Sequence, residues 1–287
     1  MARKRATLTD LLNDLTYRCM FDKFKLVCVN KWEWDGLPEG ILGRHIENLL
    51  FHKGFACFFE DPNMSLMCLE CEPTGHVNVH GDTLSYRAHG FNYQIELPAD
   101  KCVIIRNNIL GLPTEPFVTH YVNKITEAER TMDVNIKACK TPVVFTCDDK
   151  DVLSFKRLWQ ATDGNVPAHF VDKTLNLDSI QALQTGVKFM GNELMDYKRS
   201  VESDLLTYLG INNTPVDKKE RLITDEAEAN NQLIDSFSML QLQAREKACE
   251  EINAMFGTNI SVRMRGSVQN PVEEGENSEE VANHDTV

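Results

Sequence analysis

The stretch VKFMGNELMDYKRSVESDLLTYLG, Val187 to Gly210, carries apolar residues at Met190, Leu194, Tyr197, Val201, Leu205 and Tyr208. Their spacings of four, three, four, four and three trace one stripe on a helix of period 3.6. Asn192, Asp196, Arg199 and Ser203 make the opposite, polar face, and Gly210 stands where a left-handed C-cap is expected. A polar run follows, INNTPVDKKERLITDEAEANN from Ile211 to Asn231, with only Ile211, Val216, Leu222 and Ile223 as sizeable aliphatics. A polar connection of that length inside a compact domain is usually functional or disordered. Helical periodicity resumes at Leu233, Ile234, Phe237, Leu240, Ala244, Ala248 and Ile252, with Gly257 at the next C-cap. Two long helices holding out one polar loop are therefore expected.

Upstream, the pattern alternates between helical and strand-like segments. Leu11, Leu12, Leu15, Cys19 and Met20 give a first helix an apolar face up to about Val29. WEWDGLPEG (Trp32 to Gly40) reads as a turn from its Asp-Gly and Pro, with Trp32 and Trp34 as packing anchors, and a second helix is predicted over Ile41 to His52. From Gly54 to Asn107 six short runs follow: GFACFFED, SLMCLECE, HVNVHGD, TLSYRAHG, FNYQIEL and KCVIIRN. Their regular spacing between turn residues predicts a meander closing into a small barrel. Thr114-Glu115-Pro116 opens a further helix, with a stripe at Val118, Tyr121, Ile125, Ala128, Met132, Ile136 and Cys139 that stops before Thr141-Pro142. VVFTCD is read as a strand, Asp149 to Ala161 as a short helix, VPAHFVD as a strand, and TNISVRMR (Thr258 to Arg265) as the last strand.

With 287 residues the chain can bury a substantial core. It has no run of 18 apolar residues, so no membrane-spanning helix is expected, and MARKRATLTD lacks the apolar region of a signal peptide. Nine scattered cysteines, an odd number, fit reduced thiols rather than a disulfide framework. The net charge of −13 argues against a protein that wraps DNA tightly, because such affinity comes from neutralised phosphates. The tail from Val272 to Val287 contributes six of these charges through Glu273, Glu274, Glu276, Glu279, Glu280 and Asp285. Arg3, Lys4 and Arg5 form a basic arm at the other end.

No Gly-Lys dipeptide occurs, so a phosphate-cradling P-loop is absent, and neither G-x-S-x-G nor H-E-x-x-H is found. An enzyme is not expected, and no cofactor is implied. Cys68, Cys71, His76 and His80 have the spacing of a zinc knuckle. Strand alternation, however, puts Cys68 and Cys71 on opposite faces, so a metal site is not the favoured reading. Lys218-Lys219-Glu220-Arg221 is the sharpest local candidate. One such loop per subunit of a ring would place many cations around a shared axis.

KTPVVF (Lys140 to Phe145), LTYLGI (Leu206 to Ile211), DKKERLITDE (Asp217 to Glu226) and AREKACEEINAMFG (Ala244 to Gly257) resemble the upper collar connectors, or portal proteins, of small short-tailed phages with protein-primed DNA. The basic start MARKR matches that family too, and the likeness runs from about Pro113 to Arg265. It implies an α+β, ring-forming portal fold with long stem helices, a wing carrying a small barrel of the Src-homology-three (SH3-like) kind, and a helical crown. The implied organisation is a basic arm at 1–6, wing helices at 7–53, the barrel at 54–112, a stem helix at 113–140 and an α/β wing part at 141–186. A second stem helix at 187–210, a tunnel loop at 211–231, crown helix and final strand at 232–265, and an acidic disordered tail at 266–287 complete it.

The resemblance also implies function. Twelve subunits would form a homo-oligomeric ring at one capsid vertex around a channel for double-stranded DNA, serving head assembly, genome packaging, tail attachment and ejection. Lys198, Lys218 and Lys219, with Arg221 beside them, would face the DNA. Arg3, Lys4 and Arg5 correspond to an arm that in relatives contacts packaging RNA. Tyr121, Ile125 and Met132 would lie in the oligomeric stem. A separate packaging ATPase, the major capsid and scaffold proteins, and the tail or lower collar proteins are the implied partners, without a membrane. The expected location is the virion, assembled in the host cytoplasm. The alternative from the residues alone is a small nucleic-acid-binding module on the barrel, with zinc at Cys68 and His76.

Overall fold

The computed structural model describes residues 8–63, 65–140, 143–146, 153, 181–184, 188–213 and 224–266. In chain order the elements are α1 (Leu8–Asn30), β1 (Trp32–Asp35), α2 (Gly43–Lys53), β2 (Phe55–Asp61), β3 (Ser65–Pro73), β4 (Ser85–Gly90), β5 (Tyr93–Pro98) and β6 (Cys102–Arg106). They continue with α3 (Glu115–Lys140), β7 (Val143–Thr146), β8 (Gln181–Gln184), α4 (Gly191–Tyr208), α5 (Thr224–Phe256) and β9 (Ser261–Met264). The chain divides into two units, each assembled from separated stretches: Met1–Leu26 with Thr114–Ser238, and Val27–Pro113 with Met239–Val287. Apart from Leu153, the helix and strand expected within 149–172 lie outside the described residues.

In the first unit α3 and α4 pack side by side. They bury part of the stripe read from the sequence, Val118, Ile125 and Ala128 from α3 and Val201 and Leu205 from α4, together with Val122, while Ile136, Met190 and Tyr197 of that stripe stay exposed. Phe24, Leu209 and Ile234 are buried in the same unit. Phe117 at the start of α3 stacks on Tyr208 at the end of α4, with ring centroids 4.3 Å apart. Asn135 near the end of α3 bonds the start of α4, so the pair is antiparallel. β7 and β8 form a separate antiparallel pair.

The second unit is built on a five-stranded antiparallel sheet in the order β5-β4-β3-β2-β6. Its strands alternate, so each face makes its own core. One face joins Ala56, Phe58, Val103 and Ile105 to Ile46 and Leu50 of α2, Ala248 and Ile252 of α5, and Trp32. The other gathers Cys57, Phe59, Cys71, Ala88, Leu97 and Cys102. No β5–β6 pairing is found among the described residues, so the strands form a sheet with two edges, not the closed barrel expected.

Other expectations need correcting. HVNVHGD is not a strand. Only Val77 and Thr83 make a bridge, because the Asn78 carboxamide accepts from the His80 and Asp82 amides and folds the chain into a local turn. Trp32–Asp35 is a strand, paired with β9 in the register Trp32↔Met264, and the turn is confined to the residues after it. Its partner lies more than 200 residues away, so local turn residues outweighed a pairing they did not report. The polar loop is also shorter than expected, since α5 begins at Thr224.

Candidate nucleic-acid interface

The α3–α4 pair positions the one described residue of the expected channel set. Lys198 lies on α4, and its Nζ is 2.6 Å from Glu129 Oε1 on α3. Both side chains are mostly covered. At one end of the pair Asn135 Nδ2 donates to the Lys188 carbonyl at 2.8 Å, and its Oδ1 accepts from the Met190 amide at 2.9 Å. That side chain does the work of an N-cap from the neighbouring helix. α4 carries four carboxylates, Glu193, Asp196, Glu202 and Asp204, against Lys198 and Arg199. With Lys198 neutralised across the pair, the exposed Arg199 is the remaining cation of an acidic helix.

At the other end, α4 terminates as its glycine dictates. Gly210 adopts φ 66°, its amide donates to Thr207 O at 3.0 Å, and the Ile211 amide donates to Leu206 O at 2.9 Å. This pair of bonds is the Schellman arrangement. A Cβ at Gly210 would sit 2.8 Å from the Ser238 amide nitrogen of α5, so the bare backbone also permits close approach. The chain then enters a polar knot. Asn213 Nδ2 donates to Ser203 O (2.6 Å) and Thr207 Oγ1 (2.7 Å), while its Oδ1 accepts from Asn230 Nδ2 at 3.0 Å. Asn213 and Asn230 thus tie together the two roots of the segment 214–223. Lys218, Lys219 and Arg221 belong to that segment and lie outside the described residues, as do Arg3, Lys4 and Arg5.

The second unit buries a charge cluster that sequence reading missed. Arg245, 1% exposed, spans from α5 to Glu47 of α2 through Nε–Oε1 (2.9 Å) and Nη2–Oε2 (2.7 Å). Its remaining donors reach the Asn107 carbonyl and Oδ1, both at 3.0 Å, and the Gln241 carbonyl at 2.9 Å. The guanidinium lies 4.8 Å from the centroid of Trp32, and Trp34 Nε1 donates to Glu47 Oε1 at 2.9 Å. Lys31 joins this cluster, bonding Gln241 Oε1 at 3.0 Å. Burial, then the neighbouring Arg245 charge, pulls its pKa down to about 7. Every donor of Arg245 has a partner, so the cluster fixes α2, α5 and the Asn107 turn rather than offering a site. Glu47 and Arg245 lie 198 residues apart, and the only local signal was an Arg inside an otherwise helical motif.

Cys68 packs against the first core face of the sheet and Cys71 belongs to the second. The strand therefore separates the two thiols of the knuckle-like spacing, and no cluster able to hold a metal is found among the described residues.

The family model described as Phage Connector (GP10) matches residues 4–269. The chain belongs to the phage connector family. Among solved structures it is similar to the portal and tail of native bacteriophage P68, at 17% identity and TM-score 0.46 over 91% of each chain. It is also similar to an HK97 family phage portal protein from Corynebacterium diphtheriae, at 12% identity and TM-score 0.45, covering 92% of this chain and 96% of that one. A third likeness is to the virion of a native gene transfer agent particle, at 11% identity and TM-score 0.46, covering 90% and 81%. Connectors are structural components of phage particles. No helix among the described residues of this connector is long and apolar enough to cross a membrane.

Within this connector Ile125 is completely buried inside its own unit, while Tyr121 and Met132 are half-buried. Ile125 is thus a core residue of the α3–α4 pair within a single chain. Val134, Ile136, Phe189 and Tyr197, by contrast, remain exposed on or beside the same helices.

Proposed function

We propose that this connector is the portal of a small short-tailed phage with protein-primed DNA, a ring of twelve subunits around a channel for double-stranded DNA. In this reading it nucleates the head, docks a separate packaging ATPase, passes the genome inward and outward, and receives the tail. The five-stranded sheet belongs to the wing. The α3–α4 pair is the stem, and the segment after Gly210 reaches into the channel. The observation that carries the proposal is the family match over residues 4–269.

The electrostatics support a conduit. DNA must slide, so walls that bind phosphate everywhere would hold it fast. The α4 surface is acidic, and Lys198 is already neutralised by Glu129. Contact is left to Arg199 and to rings of Lys218, Lys219 and Arg221. The arm Arg3, Lys4 and Arg5 serves the packaging motor, or a packaging RNA where one exists, and its removal should leave the ring intact while weakening motor docking.

Light scattering with negative-stain microscopy on the purified chain tests the ring. A hollow ring of several hundred kDa is expected from a 32.6 kDa chain. A species at the mass of one or two chains under assembly conditions would overturn the proposal.

A further inference from the structure

Phe91 and Asn92 form the two-residue loop of the β4–β5 hairpin, closed by the pair Gly90↔Tyr93. The Phe91 ring is fully exposed. A single exposed apolar residue says nothing by itself; the same unit, however, also holds a matching hole. Between β6, the loop after it, and α5 lies a cavity of about 270 Å³ lined by Ile104, Ile109, Leu240 and Ala244, with the exposed Arg106 and Lys247 also bordering it. A dry apolar cavity of about 150 Å³ already accepts benzene, so one phenyl ring fits.

The two features sit apart. β6 is an edge of the sheet and β4 lies three strands away, so the knob and the hole are different surfaces of one unit. The strands around the knob present exposed Glu60, Glu72 and Glu96, the last 3.9 Å from Arg87, an acidic surface, while the hole is bordered by Arg106 and by Lys247, which lies 3.8 Å from Glu251. Unlike, complementary patches on one chain make a head-to-tail contact, the kind that generates rings.

We propose that Phe91 of one copy inserts into the Ile104–Leu240 groove of the next, forming a repeating contact between wings. This rests on the ring reading above and names the surface that closes it.

The test uses full-length Phe91→Glu and Leu240→Glu. Phe91 is fully exposed and Leu240 is half-exposed on a helix, so both variants should keep the parent's far-UV circular dichroism and Tm. Each alone should need about 30-fold more protein, or greater, to reach half assembly, as for the loss of a central interface aromatic. Mixed together they should stop at heterodimers, since one supplies only the knob and the other only the hole. Assembly of Phe91→Glu at the parent's concentration overturns the inference and leaves the ring intact. Two non-assembling variants that form no heterodimer also overturn it. A parent protein that never forms rings overturns the ring reading instead.

Discussion

Lys198 Nζ and Glu129 Oε1 lie 2.6 Å apart across the α3–α4 pair, with the two side chains 18% and 25% exposed. Lys198 is thereby neutralised within its own chain. Removing either partner should cost about 0.5–1 kcal/mol of helix-pair stability, the upper range for partly exposed pairs. Glu129→Gln should also free the ammonium and steepen the salt dependence of duplex DNA binding to the assembled protein. A double-mutant cycle in urea and a binding titration at several salt concentrations check both. A DNA salt slope unchanged by Glu129→Gln would show that Lys198 does not face the duplex.

Lys218 and Lys219 belong to the polar run between Ile211 and Asn231. Changing both to Ala should leave folding and assembly nearly unchanged and allow DNA to enter the head. In the proposed ring retention should fail, because many weak, salt-screened contacts together would oppose back-slipping. The fraction of full heads after packaging is stopped reads this out. Parental retention would make these lysines an ordinary solvated cluster.

Gly210 and Gly257 both adopt φ 66° after a helix, yet differ in surroundings. A Cβ at Gly257 meets nothing within 4 Å, whereas at Gly210 it meets Ser238 backbone at 2.8 Å. Gly257→Ala should cost about 1–2 kcal/mol, the left-handed penalty alone. Gly210→Ala should cost more, through displacement of α5. Equal losses in chemical denaturation would show that α5 yields freely there.

Arg245 and Glu47 are 2% and 3% exposed. Arg245→Met should cost about 3–5 kcal/mol, because Glu47 is left charged and buried. Adding Glu47→Gln or Glu47→Leu should recover part of that loss. Unfolding midpoints of the single and double variants decide it. A double variant as unstable as the sum of the singles would place the loss in packing on Trp32 instead.

Lys31 should give the connector an alkaline-side gain in stability. Its folded pKa, about 7, lies below the unfolded value near 10.5. Between those values the unfolded chain holds the proton more tightly, so stability rises with pH. Below about pH 7 both states are protonated, and a charged ammonium must stay buried beside Arg245. Lys31→Met should flatten the profile of Tm between pH 7 and 10 relative to the parent. Identical slopes would place the titration elsewhere.

The sequence by itself determined the local elements whose patterns are self-contained. The α3 and α4 stripes repeat every three or four residues, so Ile125, Val201 and Leu205 were assigned inward without knowing their partners. Gly210 announced its own C-cap, since few other residues tolerate that backbone conformation. The segments carrying the family likeness were equally legible as strings of residues. Tertiary structure decided what depends on distant partners. Only pairing with Arg263 and Met264 turns WEWD into a strand, and only packing between α2 and α5 makes Arg245 and Glu47 a buried pair. Only the α3–α4 pairing shows that Lys198 is already neutralised. A side chain's type and spacing say which way it faces on its own element. Which charge or strand waits there is set by chain that folds back from far away, and no local period encodes it.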